Sequence, residues 1–374
     1  MSRTFGMLGT YPPTACGIAT FSAALSAGLI ADGHSVEVVR VAAQSGLDDP
    51  LVLGSLRGPP GAWGTGVEVL DRTDLAIVQH EYGIYEGPDG DEILDVVRGL
   101  TVPTVIVAHT VRDAPTAGQH RVLSELCTLA DAVVVMTRSG RDRLVDRFGV
   151  DPSKVSVIAH GAATPHGSVR RGTSRGRPRL LTWGLLGPGK GIEWAIDALV
   201  ELRGMDPSPE YLIAGATHPK VKQRSGEDYR NMLMSRARSA GVAPFVSFDA
   251  AYRDLPALTE LIASADVVVL PYDSDEQVTS GVLVDAVAAG RPVVSTAFPH
   301  ASELLSSGAG IVVPQRDPAA LASAIRSVLS DATLAEGMAA EARRLGPGLS
   351  WEAVAACYAD LAEALLAGHP SVRS

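Results

Sequence analysis

The chain has 374 residues, of which 46% are hydrophobic and 20% are charged, and its formal net charge is −10. This length suits two domains with separate cores, and the excess of acidic residues argues against a nucleic-acid partner. Three widely separated cysteines, without metal-ligand or disulfide spacing, are typical of a reducing cytoplasm. No apolar stretch is long enough for a signal peptide or a membrane-spanning helix, so we expect a cytoplasmic protein.

The first half of the chain alternates short strands with longer helical segments. Its strand candidates are runs of valine, isoleucine and leucine, and the segments between them repeat apolar residues at helical spacing. Strands that are apolar on both faces predict a parallel sheet covered by helices on both sides. The predicted strands are residues 36–41, 75–78, 104–108, 132–136 and 155–158, and the predicted helices are residues 20–32, 91–99, 118–130 and 139–148.

Residues 162–179 break this pattern with glycine, proline, serine and five arginines, and we interpret them as a linker. The arginines are typical of a solvated connector, and contact with a membrane surface is the alternative. The alternation then resumes, so two α/β domains are expected to face each other across a cleft, with ligands at the carboxyl ends of the strands. The predicted strands here are residues 180–183, 211–214, 245–248, 267–270, 292–295 and 310–313, and the predicted helices are residues 191–203, 227–240, 255–264, 281–289 and 351–366.

The segment from Gly184 to Gly191 reads GLLGPGKG and joins a predicted strand to a predicted helix. Glycines let an anion approach the backbone, the helix start contributes partial positive charge, and Lys190 adds a full charge. The segment therefore predicts a phosphate site. It also approaches a Walker A loop, but Gly191 stands where serine or threonine must bind magnesium, which argues against an NTPase. The plain alternative is a strand-to-helix turn with an exposed lysine.

A second candidate site begins in residues 271–280 and continues into a helix that ends at Gly290. Thr279 or Ser280 is placed to cap this helix, whose first N–H groups would form a second anion-binding end facing the first. Asp285 lies just over one turn into the helix, where a carboxylate can accept from both hydroxyls of a ribose. An acid there also complements the helix dipole, and the residues alone leave both interpretations open.

The ordered set of motifs resembles the retaining glycosyltransferases of family 4, which have the GT-B architecture, and within them the mannosyltransferase-like branch. The resemblance implies two Rossmann-like domains: an acceptor-binding domain over residues 1–165 and, after a linker at 166–179, a nucleotide-sugar-binding domain over 180–349. The last segment, residues 350–374, would be a helix that crosses back to the first domain. The motifs that carry the resemblance, besides the two above, are GTYPPTACGIATF from Gly9, HEYG from His80, VAH ending at His109, IAHG ending at Gly161 and AGATHP ending at Pro219.

The resemblance also implies roles for the matching residues. Lys190 would hold the diphosphate and stabilise it as it leaves, Asp285 would bind the ribose, and His109 would lie beside the transferred sugar. A single histidine at a strand end is otherwise more often structural. The implied donor-binding residues are Gly17, Gly187, Gly189, Lys190, His218, Thr279, Ser280, Gly281, Val282 and Asp285, and the implied acceptor-binding residues are His80, Glu81 and Tyr82.

The sequence departs from the family pattern at two places. Leu185 stands where the family has an arginine, and the cations that would replace it are His218, Lys220, Lys222 or Arg224. The family also has two carboxylates eight residues apart, but the position eight residues before Asp285 holds Gln277, with Glu276 one place off. The implied catalytic residues are therefore His109, Lys190, Glu276 and Gln277, with the first acidic position open between the last two.

The resemblance implies a retaining hexosyltransferase, and we expect it to be metal-independent. It would move a sugar from a nucleoside-diphosphate donor to a hydroxyl of a saccharide, lipid-linked or small acceptor, and the branch that it resembles makes GDP-mannose the first choice of donor. No metal or other cofactor is expected, because the acids do not cluster with histidines at ligand spacing. The alternatives are a UDP-glucose or UDP-galactose enzyme of the same fold and a non-catalytic nucleotide-sugar-binding subunit of another transferase. A Rossmann oxidoreductase is disfavoured because no GxGxxG follows the first strand, and peripheral contact with the inner face of the membrane is left open.

Overall fold

The computed structural model describes residues 1–41, 49–56, 62–163, 176–251, 253, 255–274 and 276–368. They divide into two compact units, one formed by Met1–Gly161 with Trp351–Ser374 and the other by Ala162–Ser350. Each unit contains one parallel β-sheet with helices, which confirms the predicted α/β class. Most of the predicted linker, residues 164–175, lies outside the described residues.

The first unit is built on a seven-stranded sheet. Its strands are β1 Thr4–Gly9, β2 Ser35–Arg40, β3 Val52–Ser55, β4 Leu75–His80, β5 Thr104–Ala108, β6 Ala132–Val135 and β7 Val155–Val157. They lie in the order β3-β2-β1-β4-β5-β6-β7, and every neighbouring pair is parallel. All residues of β4 and β5 are buried, as expected for strands covered on both faces. The direction of winding reverses between β1 and β4, which opens a crevice at their carboxyl ends.

Helices cover this sheet. In chain order they are α1 Gly17–Ala31, α2 Ala62–Leu70, α3 Glu92–Gly99, α4 Ala117–Leu129 and α5 Arg138–Phe148. The Cys16 side chain begins α1 by accepting a hydrogen bond from the Ala19 N–H at 3.3 Å. Thr116 and Gln119 begin α4 with reciprocal side-chain-to-backbone bonds, a capping box. The bounds of β1, β3 and α2 were not among the predicted elements.

The second unit is built on a six-stranded sheet. Its strands are β8 Arg179–Trp183, β9 Glu210–Ala214, β10 Val246–Asp249, β11 Val267–Leu270, β12 Val293–Thr296 and β13 Gly310–Val313. They lie in the order β10-β9-β8-β11-β12-β13, again with every pair parallel. Strand β8 begins at Arg179, which the sequence assigned to the linker; its Nε donates to Glu210 at 2.7 Å. Here the winding reverses between β8 and β11.

The helices of the second unit cover both faces of its sheet. They are α6 Ile192–Leu202, α7 Pro219–Ser225, α8 Asp228–Ser239, α9 Leu255–Ala263, α10 Gly281–Ala288, α11 Pro299–Leu304, α12 Pro318–Ser330 and α13 Ala332–Leu345. Phe245 lies in a short 3-10 turn, Ala243–Phe245, so β10 starts one residue later than predicted. Within the described residues, no helix combines the length and apolarity that crossing a bilayer requires.

The final helix, α14 Trp351–Gly368, belongs to the first unit. It packs against α1, where a Cβ added to Gly28 would lie 2.8 Å from the carbonyl oxygen of Trp351. Val354 and Tyr358 of this helix are 1% and 2% exposed and lie in the same core cluster as Phe21. The chain therefore returns to complete the core of its first unit.

Candidate functional site

The residues after β8 form the glycine-rich turn that leads into α6. Gly184, Gly189 and Gly191 have φ angles of 116°, 88° and 61°, a region that residues with a side chain rarely adopt. At Gly191 a Cβ would lie only 1.8 Å from the carbonyl oxygen of Pro271, the residue after β11. The turn is thus held against the end of β11, at the reversal of winding where doubly wound sheets bind ligands.

Lys190 is held at this turn by an aromatic ring. Its Nζ lies 4.2 Å from the centroid of the Tyr272 ring. Tyr272 is 1% exposed and stacks on Phe298 with the ring centroids 5.0 Å apart. Lys190 forms no ion pair with any described residue. A cation–π contact positions the ammonium without neutralising it, so its full charge is available to an anion.

The start of α10 lies beside the same turn. Ser280 is the N-cap, its Oγ accepting from the Leu283 N–H at 3.3 Å, and its own N–H donates to Nδ1 of the buried His300 at 2.9 Å. A Cβ on Gly184 would lie 3.4 Å from Cγ2 of Val282, in the first turn of this helix. The glycine turn and the N–H groups at the start of α10 therefore converge on one place, within one unit.

The loop before α10 is shaped by its own side chains. Gln277 donates from Nε2 to the carbonyl oxygen of Thr279 at 2.6 Å. The Glu276 N–H donates to Ser274 Oγ at 3.3 Å. The amide nitrogen of Gln277 is thus committed to holding the loop that precedes the cap.

Asp285 is the fifth residue of α10 and lines a small pocket between α9 and α10. The walls of the pocket are mostly apolar, and its other lining residues are Ala163, Leu255, Leu258, Thr259, Ile262 and Ala289. Burial raises the pKa of Asp285 to about 7. Its carboxylate forms no hydrogen bond or ion pair with the described residues. The helix dipole acts most strongly on the first turn of a helix, and Asp285 lies beyond that turn.

The residues named as replacements for the missing arginine lie in and around α7. His218 is the N-cap of α7: its N–H donates to the Leu186 carbonyl oxygen at 2.8 Å, and its Nδ1 accepts from the Lys220 N–H at 3.2 Å. Lys222 pairs with Glu227 at 3.5 Å. Lys220 and Arg224 are exposed. His218 is thus bonded directly to the glycine turn.

Arg230 is a cation at this turn that the sequence reasoning missed. Its Nη2 donates to the carbonyl oxygen of Gly215, and its Nε donates to Glu227 at 3.3 Å. Gly215 packs so closely on the turn that a Cβ there would lie 2.0 Å from the Gly184 carbonyl oxygen. Arg230 is 46 residues from Gly184 in sequence, and only the pairing of β8 with β9 brings its partner Gly215 to the turn, so no local pattern indicates it.

His109 follows β5 in the first unit and has a fixed tautomer. Its Nε2 lies 2.7 Å from Oε1 of the fully buried Gln79. The other end of that amide, Nε2, donates to Met7 Sδ at 3.2 Å, so Oε1 is the acceptor and His109 Nε2 carries the proton. Burial, with smaller effects from His160 and His80, lowers the pKa of His109 to about 3. The imidazole is therefore neutral and offers Nδ1 as an acceptor.

Phe21, in the second turn of α1, contacts this histidine. Its ring meets His109 and His160 edge-on, with centroid distances of 4.9 and 5.1 Å. Gly17, one turn earlier at the start of α1, differs from the crowded Gly191 and Gly215 of the second unit. A Cβ at Gly17 would have no atom within 4 Å, so the protein's own packing does not require glycine there.

The predicted acceptor-binding residues lie at the neighbouring strand end. His80 is the last residue of β4, and its carbonyl oxygen accepts from the His109 N–H at 3.0 Å. Its ring meets that of Tyr82 edge-on at 5.0 Å, and burial lowers the pKa of His80 to about 4. Glu81 Oε2 accepts from the Gly83 N–H at 3.0 Å. The structure thus places His80, Tyr82 and His109 at one edge of the first sheet.

The predicted site residues therefore form two groups, one in each unit. The residues at the carboxyl ends of β8, β9 and β11 are Gly187, Gly189, Lys190, His218, Glu276, Gln277, Thr279, Ser280, Gly281, Val282 and Asp285, and those at the ends of β1, β4 and β5 are Gly17, His80, Glu81, Tyr82 and His109. Among the described residues, no three histidine, cysteine, aspartate or glutamate side chains are grouped to hold a metal ion.

Two family models match the chain, one in each half. Residues 15–165 match the model described as Glycosyltransferase Family 4, and residues 177–331 match the model described as Glycosyl transferases group 1.

Curated relatives match most of the chain at moderate identity. A glycogen synthase of Mycobacterium tuberculosis is 32% identical over 247 residues, which are 65% of this chain and 56% of the relative. A D-inositol 3-phosphate glycosyltransferase of Geodermatophilus obscurus is 29% identical over 304 residues, 71% of this chain and 63% of the relative. The chain thus spans less than two thirds of the length of either relative.

Solved structures match the fold along nearly the whole chain. HepE of Anabaena, in complex with UDP and glucose, has a TM-score of 0.76 at 16% identity, covering 96% of this chain and 99% of HepE. Sucrose-phosphate synthase of Thermosynechococcus elongatus has a TM-score of 0.75 at 19% identity, covering 98% of this chain and 100% of the synthase chain. At these identities the likeness concerns the fold, which is the GT-B fold.

Proposed function

This chain belongs to glycosyltransferase family 4, and we propose that it transfers a hexose from a nucleoside-diphosphate sugar to an acceptor hydroxyl with retention of the anomeric configuration. The observation that carries the proposal is the convergence of the glycine turn, Lys190 and the start of α10, with Gly184 and Val282 in contact. A turn rich in left-handed glycines, an unpaired ammonium and a helix start together suit a diphosphate.

The ribose end of the nucleoside is assigned to the surface beside the small pocket between α9 and α10. Leu255, Leu258 and Ile262 offer apolar surface for a base or the sugar ring. Asp285 has no partner among the described residues and would accept hydrogen bonds from the ribose hydroxyls. Lys190, with the N–H groups of Gly281 and Val282, would hold the diphosphate and stabilise its charge as it leaves.

The remaining site residues take roles that the family resemblance implies. His109, neutral and with Nδ1 free to accept, would bind a hydroxyl of the transferred sugar. Because the amide nitrogen of Gln277 is committed to Thr279, we assign the first acidic position to Glu276. His80, Glu81 and Tyr82 would contact the acceptor.

The donor is proposed to be GDP-mannose, with UDP-glucose or UDP-galactose as the rival. HepE has been solved with UDP-glucose, which favours testing the uridine donors in parallel. A second class of function is a subunit that binds nucleotide sugars without turnover, favoured by Leu185 in place of the family arginine.

The proposal is tested by ligand binding followed by turnover. A nucleotide that binds only the native state raises the melting temperature, so GDP, UDP and ADP and their sugars are compared by thermal shift. The donor with the largest shift is then assayed for hydrolysis and transfer, with and without excess EDTA, and the anomer of the product is determined by NMR. We expect turnover that survives EDTA. Binding without hydrolysis or transfer would support the non-catalytic subunit, and the absence of any nucleotide effect would overturn the proposal.

Gly17→Ala is expected to lower turnover about 10-fold while leaving the melting temperature unchanged or slightly raised. The new methyl group meets no atom of the protein and alanine favours a helix, but the methyl blocks close approach of a ligand to the first turn of α1. Gly337→Ala is the matched control, because Gly337 lies exposed within α13 and its added Cβ also meets nothing within 4 Å. A Gly17→Ala enzyme with normal turnover would mean that no ligand approaches this glycine.

A further inference from the structure

His80, Tyr82 and Arg112 hold four buried nitrogen and oxygen atoms that find no hydrogen-bond partner in the described part of the chain. They are both ring nitrogens of His80, the hydroxyl of Tyr82 and Nε of Arg112. His80 is fully buried and Tyr82 is 8% exposed. Unpaired buried polar atoms are rare because each carries its full desolvation cost, so several in one place indicate a ligand that completes them.

The fold brings these three residues to one edge of the first sheet. His80 ends β4, and the hydrogen bond from the His109 N–H to its carbonyl oxygen ties that end to the end of β5. Arg112 lies three residues beyond His109, in a loop fixed by Arg143, whose Nη1 donates to the Val111 carbonyl oxygen at 2.9 Å. The Arg112 charge acts on the Tyr82 phenol, opposing the rise in its pKa that burial causes.

Arg112 differs from the arginines of the neighbouring helices in having no acid. Arg98 of α3 pairs with Asp95 at 2.7 Å, Arg121 of α4 with Asp91 at 2.8 Å, and Arg147 of α5 with Asp113 at 3.1 Å. Arg112 is only partly exposed and forms no ion pair with a described residue. Burying the Nε of a guanidinium without a partner or counter-ion is costly, which suits a site that receives its anion from a ligand.

We propose that His80, Tyr82 and Arg112 form a subsite for an anionic group, a phosphate or a carboxylate, carried by the acceptor. The guanidinium donates to two oxygens of the anion and the Tyr82 hydroxyl donates to a third or to the same pair. His80 is neutral at pH 7 and adds one donor and one acceptor, which suits a hydroxyl next to the anion. The acceptor class is therefore an acidic polyol or sugar. Its use in transfer rests on the proposed function, whereas binding of the anion does not.

Binding is tested with inorganic phosphate on the full chain, followed through the imidazole NMR signals of His80, which are assigned by comparison with His80→Asn. Phosphate should shift these signals in the wild type and equally in Lys190→Ala, which shows that the shift does not depend on Lys190 at the glycine turn. Arg112→Met should abolish the shift and Arg112→Lys should restore part of it. Arg121→Met, which removes a paired arginine, is the matched control and should behave as wild type. A His80 shift that persists in Arg112→Met, or no shift in the wild type, would overturn the subsite.

Acceptor assays then separate the two sources of negative charge. Glucose 6-phosphate, glucuronate and glucose are compared as acceptors. For whichever charged sugar serves as an acceptor, Arg112→Met should raise KM about 10- to 100-fold, the effect of losing hydrogen bonds to a charged group. Its effect on glucose should be small, and kcat should change little. Equal effects on charged and neutral acceptors would contradict the subsite while leaving transfer intact. Phosphate binding that depends on Arg112, without transfer to any acceptor, would instead contradict the proposed function alone.

Discussion

Lys190→Ala is expected to lower kcat by about 100-fold or more and to weaken donor binding much less. The ammonium is held 4.2 Å from the Tyr272 ring and has no acid among the described residues. Its charge is therefore not satisfied in the free protein and interacts most strongly when negative charge develops on the leaving diphosphate. An interaction that strengthens in the transition state raises kcat more than affinity.

The measurement is donor turnover at saturation together with the dissociation constant of the nucleotide diphosphate, for wild type and variant. Lys154→Ala is the matched control, since Lys154 Nζ donates to the carbonyl oxygens of Thr128 and Ala130 at 3.2 and 2.8 Å. That change should cost stability but not turnover per folded molecule. A Lys190→Ala enzyme that retains near-normal kcat would show that the glycine turn does not hold the leaving group.

The architecture could be predicted from the sequence because its strands are buried on both faces. The bounds of β5, β11 and β13 are those that the runs of apolar residues predicted, and the other predicted strands are shifted by only a residue or two at their ends. These runs are short and apolar throughout, and the segments between them repeat apolar residues at helical spacing. This combination is typical of parallel sheets. By contrast, β3 ends in Gly54 and Ser55, so it lacks the uninterrupted apolar run that marked the predicted strands.

The glycine turn and the cap of α10 were also predictable, because their chemistry is local. Left-handed glycines between a strand and a helix, and a serine at a helix start, are short-range requirements of the backbone. The structure selects Ser280 rather than Thr279 as the cap. It places the start of α10 beside the turn at Gly184, a contact that no spacing in the sequence could give.

The supporting residues were missed because they act across long sequence separations. Gln79 fixes the tautomer of a histidine 30 residues away, and His300 accepts from the N–H of Ser280, 20 residues away. Tyr272 positions Lys190 through the face of its ring. Gln79 and His300 belong to no predicted motif, and Tyr272 lies in the second candidate segment without a signal that its ring would meet Lys190. These contacts form only when parallel strands bring their carboxyl ends together.

Asp285→Asn is expected to have two opposite effects: it should raise the stability of the folded protein and weaken nucleotide binding. In the folded protein burial raises the pKa of Asp285 from 3.8 to about 7. The native state then binds more protons than the unfolded state between these values, so this carboxyl makes stability fall as the pH rises from about 4 to 7. Asparagine removes that dependence. The variant should match the wild type near pH 4 and be more stable above pH 7, by on the order of 2–4 kcal/mol.

Nucleotide affinity should fall about 10- to 100-fold in the same variant at pH 8, because charged hydrogen bonds to the ribose hydroxyls are lost. For the wild type, nucleotide affinity should rise as the pH passes 7 and Asp285 ionises. The rise that remains in Asp285→Asn comes from ionisation of the nucleotide's own phosphate.

Asp228→Asn is the control, since Asp228 lies exposed in the first turn of α8 and should contribute to stability only through the helix dipole, by about 0.3–1 kcal/mol. Thermal melts between pH 4 and 8 and calorimetric titration with GDP and UDP give both quantities. If Asp285→Asn melted earlier than wild type at pH 8 and bound nucleotide normally, the carboxylate would be serving the helix rather than a ligand. The expected result is a more stable protein that binds nucleotide less well. It would mean that the buried Asp285 carboxylate destabilises the free protein and forms its hydrogen bonds only with the two ribose hydroxyls.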